Sequence, residues 1–201
     1  MKRHLRILPA VFLTASSASA AIVYSGAVNT SIPYSFNGVY LNVLTGATTT
    51  SQPADFYGSP TAAWINIDFA GVDVVNGDGL LPMTLAPDRL LNLAYNTPVD
   101  ASGTYAAGPN ASSTHLGSGP SQFQASSPGF IGFRMNPTGG GDQFGWLRVS
   151  LNDDPSGGTI HSFAYEDTVG VSIGAGVPEP GTVSALLLAA SVLLFGMRSR
   201  R

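Results

Sequence analysis

The uncharged apolar run from Gly181 to Met197 constrains this chain more than any other stretch. A surface helix of a soluble domain carries a polar stripe opposite its buried one, and this run shows no such face. As a helix, about 17 residues span about 25 Å, the short end of what crosses a bilayer. Just before it, Pro178 and Pro180 flank Glu179, remove two backbone donors and keep the chain extended, so a helix cannot run back through this point. Just after it, Arg198, Arg200 and Arg201 form a basic stop of the kind that stays on the cytoplasmic side. A buried C-terminal core helix is the competing reading. The missing polar face and the arginines at one end only favour a membrane helix, so the rest of the chain must fold without it.

Val177-Pro178-Glu179-Pro180-Gly181-Thr182, the apolar segment and the terminal arginines together resemble the PEP-CTERM sorting tail of exported bacterial proteins. The likeness covers about 25 residues and rests on three elements in the required order at the end of the chain. It implies recognition by an exosortase, an integral-membrane cysteine protease-transpeptidase that removes the tail near the motif. It also implies a Gram-negative host, a transient single-pass anchor in the inner membrane, and release to the cell surface or extracellular matrix.

The other end carries a second targeting signal. Lys2, Arg3 and Arg6 make a basic start, Ile7 to Leu13 an apolar stretch, and Ala18-Ser19-Ala20 a small-residue cleavage site. A buried first helix is the rival reading, against which Pro9 and the cleavage-type ending argue. The expected organisation is a signal peptide over 1–20, an extracytoplasmic domain over 21–176 beginning at Ala21, and a sorting tail over 177–201. Within the tail, the motif is 177–182, the membrane helix 181–197 and the basic stop 198–201.

With its ends set aside, the chain is long enough for one domain of about 150 residues. Between Ala21 and Gly176 there are three basic residues, Arg89, Arg134 and Arg148, against eleven acids, and no lysine. A net charge of −8 makes nucleic acid and anionic membrane surfaces poor partners. Cysteine is absent, so neither disulfides nor thiol chemistry contribute. The fold must be held by its core alone, or by bound ions.

The middle reads as all-β. Glycine and proline punctuate short apolar runs, with no helical period longer than two turns. Trp64 to Phe69 alternates, with Ile65, Ile67 and Phe69 on one face, and Asn76-Gly77 and Asp78-Gly79 follow as turns. Leu90 to Tyr95 is a strand or one helical turn. Gly108 to Gly129, rich in Ser, Gly, Pro and Asn, reads as a long loop.

Phe130–Met135, Gln143–Leu151 and Thr159–Tyr165 form an antiparallel meander, and Val169, Val171 and Ile173 a final strand. Along the second, Leu147, Val149 and Leu151 face one way and Trp146, Arg148 and Ser150 the other. Many short strands with regular turns indicate a β-sandwich or jelly-roll barrel. The runs Phe130-Ile131-Gly132-Phe133-Arg134, Phe144-Gly145-Trp146-Leu147-Arg148-Val149 and Ile160-His161-Ser162-Phe163-Ala164-Tyr165-Glu166 resemble a strand series common in exported PEP-CTERM proteins. That likeness supports the register and carries no chemistry with it.

Chemistry-bearing residues are sparse. Asp73, Asn76, Asp78 and Gly79 suggest a calcium loop, since hard cations take several oxygens close together. EF-hand spacing fails, because counting back from Gly79 puts Val74 at position one and Leu85 at twelve. A different calcium site drawing on Asp68 or Asp88 stays open, and ordinary turn chemistry accounts for the same residues without metal. Calcium is the one cofactor kept open. Asn152-Asp153-Asp154 is a hairpin turn before it is a ligand cluster.

His161, expected on the strand face of Phe163 and Tyr165, and the distant His115 make no zinc or triad pattern. Gly139-Gly140-Gly141 lacks the following Lys of a phosphate loop. A paired-carboxylate hydrolase needs two acids aimed at one cleft, which eleven scattered acids do not decide. Arg134 and Arg148 suit stacking on aromatic neighbours or pairing with Glu166 or Asp167. The sharper alternative is a sugar-binding face built on Trp146 and nearby tyrosines.

The expectation is therefore a non-catalytic exported surface or matrix protein whose partners are an exosortase, the export machinery and, transiently, the inner membrane. A lectin-like module for exopolysaccharide is the alternative.

Overall fold

A computed structural model of the chain describes residues 21–86, 89–106, 109–110, 116–117, 119, 121–152, 155 and 157–177. The signal peptide, His115, Asp88, Asp153, Asp154 and the tail from Pro178 onward lie outside the described residues. What is described is all-β and sandwich-like, built of several antiparallel sheets. The first half contributes β1 (Ile22–Tyr24), β2 (Thr30–Ile32), β3 (Val39–Asn42), β4 (Thr48–Thr49), β5 (Trp64–Asp68), β6 (Asp73–Asn76), β7 (Leu80–Pro82) and β8 (Thr84–Ala86). The second adds β9 (Arg89–Leu90), β10 (Asn92–Leu93), β11 (Pro98–Val99), β12 (Pro109–Asn110), β13 (Pro128–Met135), β14 (Gln143–Ser150), β15 (Gly158–Glu166) and β16 (Ile173–Gly174).

The large sheet runs β1-β15-β14-β13-β10, with β2 also on β15 and β7 also on β13. Its centre is the expected meander, with each strand antiparallel to the next. The smaller sheet runs β12-β6-β5-β3-β4. Leu41, Ile65, Ile67 and Val74 of the small sheet meet Ile131, Phe133, Leu147, Val149 and Ile160 of the large one in the main core.

The far face of the large sheet is also covered. Phe144, Trp146 and Ala164 pack there against Met83, Leu93, Val99, Ile173 and Ala175, under the ribbon β11-β16. Residues 143–149 of β14 are therefore buried except for Arg148. Gly145 makes this crowding feasible, because a Cβ there would lie 2.2 Å from Cζ of Phe133 and 2.6 Å from the Ala164 carbonyl oxygen. Outside the small sheet, Tyr40, Phe56, Ala62 and Trp64 form a third cluster. There the Trp64 indole N–H donates to Asp55 Oδ1 at 3.1 Å.

Several strand expectations are corrected. Phe69 leaves the face of Ile65 and Ile67, because β5 ends at Asp68 and the chain turns through Phe69 and Ala70 at φ of 44° and 59°. Its ring instead meets Tyr34 and Phe36 edge-on. The hairpin turn after β5 is thus Phe69–Val72, and the Asn76-Gly77 and Asp78-Gly79 turns follow β6. Leu90 to Tyr95 resolves into β9 and β10 rather than a helical turn.

The final strand is shorter than expected. Val169 is 45% exposed in a turn, and only Ile173–Gly174 pairs. Nor is 108–129 all loop, since Phe123 is fully buried in the main core and Leu116 bridges to it.

A β-bulge corrects His161. Arg148 pairs with Ser162 and Val149 with Ile160, so His161 is the extra residue. The bulge shifts the side-chain parity, so that Ile160 and Phe163, three apart, both enter the main core. The imidazole lies on the other face, with Nε2 2.8 Å from Ser150 Oγ.

Trp146 is 2% exposed, with Phe130 perpendicular to it at 5.7 Å between ring centres. Trp146→Ala is expected to destabilise the domain by about 3–5 kcal/mol in urea melts. A loss below about 1 kcal/mol would show that the ring is not a core element.

Candidate functional site

The expected sorting residues straddle the boundary of the described chain. Ala18, Ala20, Pro178, Glu179, Pro180, Gly181, Arg198, Arg200 and Arg201 fall outside it. Ala21 and Val177 fall inside. Ala21 donates its backbone N–H to Asp167 Oδ1 at 3.2 Å and accepts from the Asp167 N–H at 3.0 Å. The Val177 N–H donates to the Gly174 carbonyl at 3.0 Å. Ile22 and Ala175 both pack into the hydrophobic cluster on the far face of the large sheet.

On that side lies an aromatic cleft of about 280 Å³. Strand register builds it. Phe130, Arg148 and Ser162 stand opposite one another on β13, β14 and β15, making one row across the large sheet. In the next row, Trp146 and Tyr24 both pair with Ala164, whose small side chain leaves their rings 6.0 Å apart. Tyr95 and Gly176 close the cleft, and Gly176 is required there twice over. Its φ is +78°, and a Cβ would sit 2.5 Å from Phe130 Cζ.

The expected sugar-binding face on Trp146 is thereby rearranged. Trp146 is the floor, and its buried indole N–H has no hydrogen-bond partner among the described residues. The rings offered to solvent are Tyr24 and Tyr95, 43% and 67% exposed. Exposed Arg148 adds a cation at the rim. Alternation along β14 brings Trp146 and Arg148 together in the sequence, whereas Tyr24 and Tyr95 arrive through long-range pairing and carry no local signal.

The other basic residue of the meander is engaged. Arg134 pairs with Asp142 at 3.0 Å and lies over the Tyr105 ring at 5.1 Å. Glu166 and Asp167, expected as arginine partners, instead accept from the Thr168 N–H and from the Ala21 N–H and Thr168 hydroxyl. Burial pushes the Tyr105 phenol up, and its O–H donates to the Asp100 carbonyl at 2.8 Å. A second cleft of about 290 Å³ borders the Arg134–Asp142 pair, with Asp78, Thr61 and Asn136 also on its wall.

The calcium candidates lie along a strand and its turn rather than around a point. Asp73 opens β6 opposite Asp68, and Asn76 closes it about 10 Å away. The Asn76 side chain donates to the Gly77 carbonyl, and Asp78 Oδ2 accepts the Gly58 N–H at 2.5 Å. Among the described residues no three His, Cys, Asp or Glu side chains converge to hold a metal.

Two polar features were not legible in advance. Ser150 and His161 meet only because of the bulge, and burial, then the Arg148 charge, lower the imidazole pKa. Asp68 is 7% exposed, with Oδ1 unpartnered among the described residues, and burial, then the Asp73 charge, push its carboxyl up to about 7.

The Asp68 shift predicts a pH dependence. The folded state binds the extra proton between the usual carboxylate value near 4 and about 7. Its contribution is therefore full below pH 4 and is lost as pH rises through about 7. Allowing for solvent screening, Asp68→Asn is expected to gain on the order of 2 kcal/mol over the parent at pH 8 and close to nothing at pH 3.5 in urea melts. An equal change at both pH values would mean that the carboxyl ionises freely.

Compared with protein-family models, curated proteins and solved structures, the chain has no match.

Proposed function

We propose that this chain is an exported surface or extracellular-matrix protein of a Gram-negative bacterium, with a non-catalytic, sandwich-type ectodomain sorted by its C-terminal tail. The observation that carries this reading is the order Pro178-Glu179-Pro180, uncharged apolar segment, arginine cluster. The arginines hold the far end of a short membrane helix inside, which places Glu179 outside on an extended segment where a protease reaches its backbone. An exosortase then cuts near the motif and releases the domain from the inner membrane. The leader over 1–20 delivers the chain to that membrane.

A second reading is a lectin-like domain for exopolysaccharide, favoured by the cleft of Tyr24, Tyr95 and Arg148. Exposed aromatic faces stack on sugar C–H surfaces at low entropic cost, and the arginine supplies fixed donors. Tyr95→Ala should weaken binding of the extracellular protein to the host's extracted exopolysaccharide about tenfold, a loss of about 1.4 kcal/mol, with the melting curve unchanged. Equal binding by parent and variant, with and without added calcium, would remove this reading.

The sorting reading is tested by intact mass. Native extracellular protein is expected to lack Leu186 to Arg201, and Glu179→Ala to leave full-length protein in the inner membrane. A native extracellular species still carrying those residues would make the tail a permanent anchor.

A further inference from the structure

We propose that Asp167 is a built receptor for the amino terminus of the mature chain: the Ala21 ammonium, once freed, forms an ion pair with the Asp167 carboxylate and fastens β1 to the large sheet. The inference rests on the reading that the leader is cut between Ala20 and Ala21. That step is a hydrolysis by a membrane peptidase. Water adds across the amide, its hydroxyl going to the Ala20 carbonyl carbon and a proton to the Ala21 nitrogen. A further proton from solvent makes the amine an ammonium at neutral pH.

The geometry for this capture is in place in the uncut chain. The Ala21 nitrogen lies 3.2 Å from Asp167 Oδ1, and the Ala21 carbonyl accepts the Asp167 N–H at 3.0 Å, so the two residues clasp each other at two points. Asp167 is itself anchored. Its carbonyl accepts from the Gln143 side-chain amide, and its Oδ1 from the Thr168 hydroxyl at 3.1 Å. The next residue, Ile22, already pairs with Glu166 in the ladder. The carboxylate is thus held where the chain nitrogen must arrive. In the precursor that nitrogen is a neutral amide with a single N–H; after cleavage it is a cation with three donors.

Charge makes the same argument. The chain's single lysine is Lys2, which leaves with the leader, so the Ala21 amine is the one primary amine between Ala21 and Gly176. In a segment of net charge −8 with three arginines, cations are scarce. Arg134 is taken by Asp142, and no ion pair to Asp167 is present among the described residues. The amino terminus is the cation that the Glu166-Asp167 corner is placed to receive. Because Tyr24 follows on the same short strand, processing also secures one wall of the aromatic cleft.

The absence of lysine supplies a clean test. Extracellular protein is purified from the host, its first residue is read by intact mass, and the rate of acylation by a succinimidyl ester is followed at pH 7.5. An ammonium held by a carboxylate gives up its proton less readily and reacts more slowly. Native protein starting at Ala21 is expected to react about three- to tenfold more slowly than the same protein in urea. High salt, about 1 M, should erase most of that protection. Asp167→Asn should remove it, while Asp167→Glu should keep part.

If the folded parent and the urea-unfolded parent react equally fast, or if salt leaves the native rate unchanged, the ion pair does not form, although the export reading stands. These two comparisons need no variant to fold. A mature species beginning elsewhere than Ala21 overturns the cleavage reading and the proposal together, and the mass alone distinguishes that case.

Discussion

The rest of the structure depends on β14 being buried on both faces. A sheet with one wet face needs a single partner layer, but Phe144 and Trp146 point away from the main core, so this one needs two. The small sheet covers Leu147 and Val149, and the thin ribbon β11-β16 covers Trp146. Hydrophobic burial at about 25 cal/mol per Å² is the dominant favourable term in folding, and among the described residues it is concentrated in three clusters without any disulfide. The two ends of the domain are therefore structural. Ile22 and Ala175 complete the cluster that shelters the central tryptophan.

Much of this was legible in the residues. The meander is written in three long alternating runs with polar, glycine-rich turns between them, and β13, β14 and β15 follow within two residues at each end. Local pattern fails where long-range packing overrules it. The bulge at His161 is invisible to a period of two, so strict alternation places the imidazole with Phe163. Phe69 continues the alternation of β5 on paper, yet the chain turns there through a positive φ. Val169 and Val171 have strand character but, among the described residues, no strand to pair with.

The cleft was legible only in part, for the same reason. Trp146 and Arg148 declare a common face, while Tyr24 and Tyr95 come from strands or turns too short to signal anything alone. Its polar character also needed the fold. Ser162 joins Arg148 and Phe130 through register, and Gly176 lets the chain pass against the Phe130 ring. By contrast, the spacing of Asp73, Asn76 and Asp78 looks concentrated in sequence and is spread out by an extended strand, which rises about 3.3 Å per residue. Proximity along a chain converges ligands only when the backbone curls.

The placement of the arginines has a consequence for resistance to proteolysis. A protease specific for basic residues finds three sites between Ala21 and Gly176. Two of them, Arg134 and Arg148, sit within the central strands β13 and β14, whose backbones are hydrogen-bonded on both sides. Cutting there requires the meander to open, so susceptibility follows global rather than local unfolding. Only Arg89, on the two-residue strand β9, offers a peptide bond outside the sheets of the sandwich. The composition that leaves the domain so poor in positive charge thus also leaves trypsin-like enzymes little to grip.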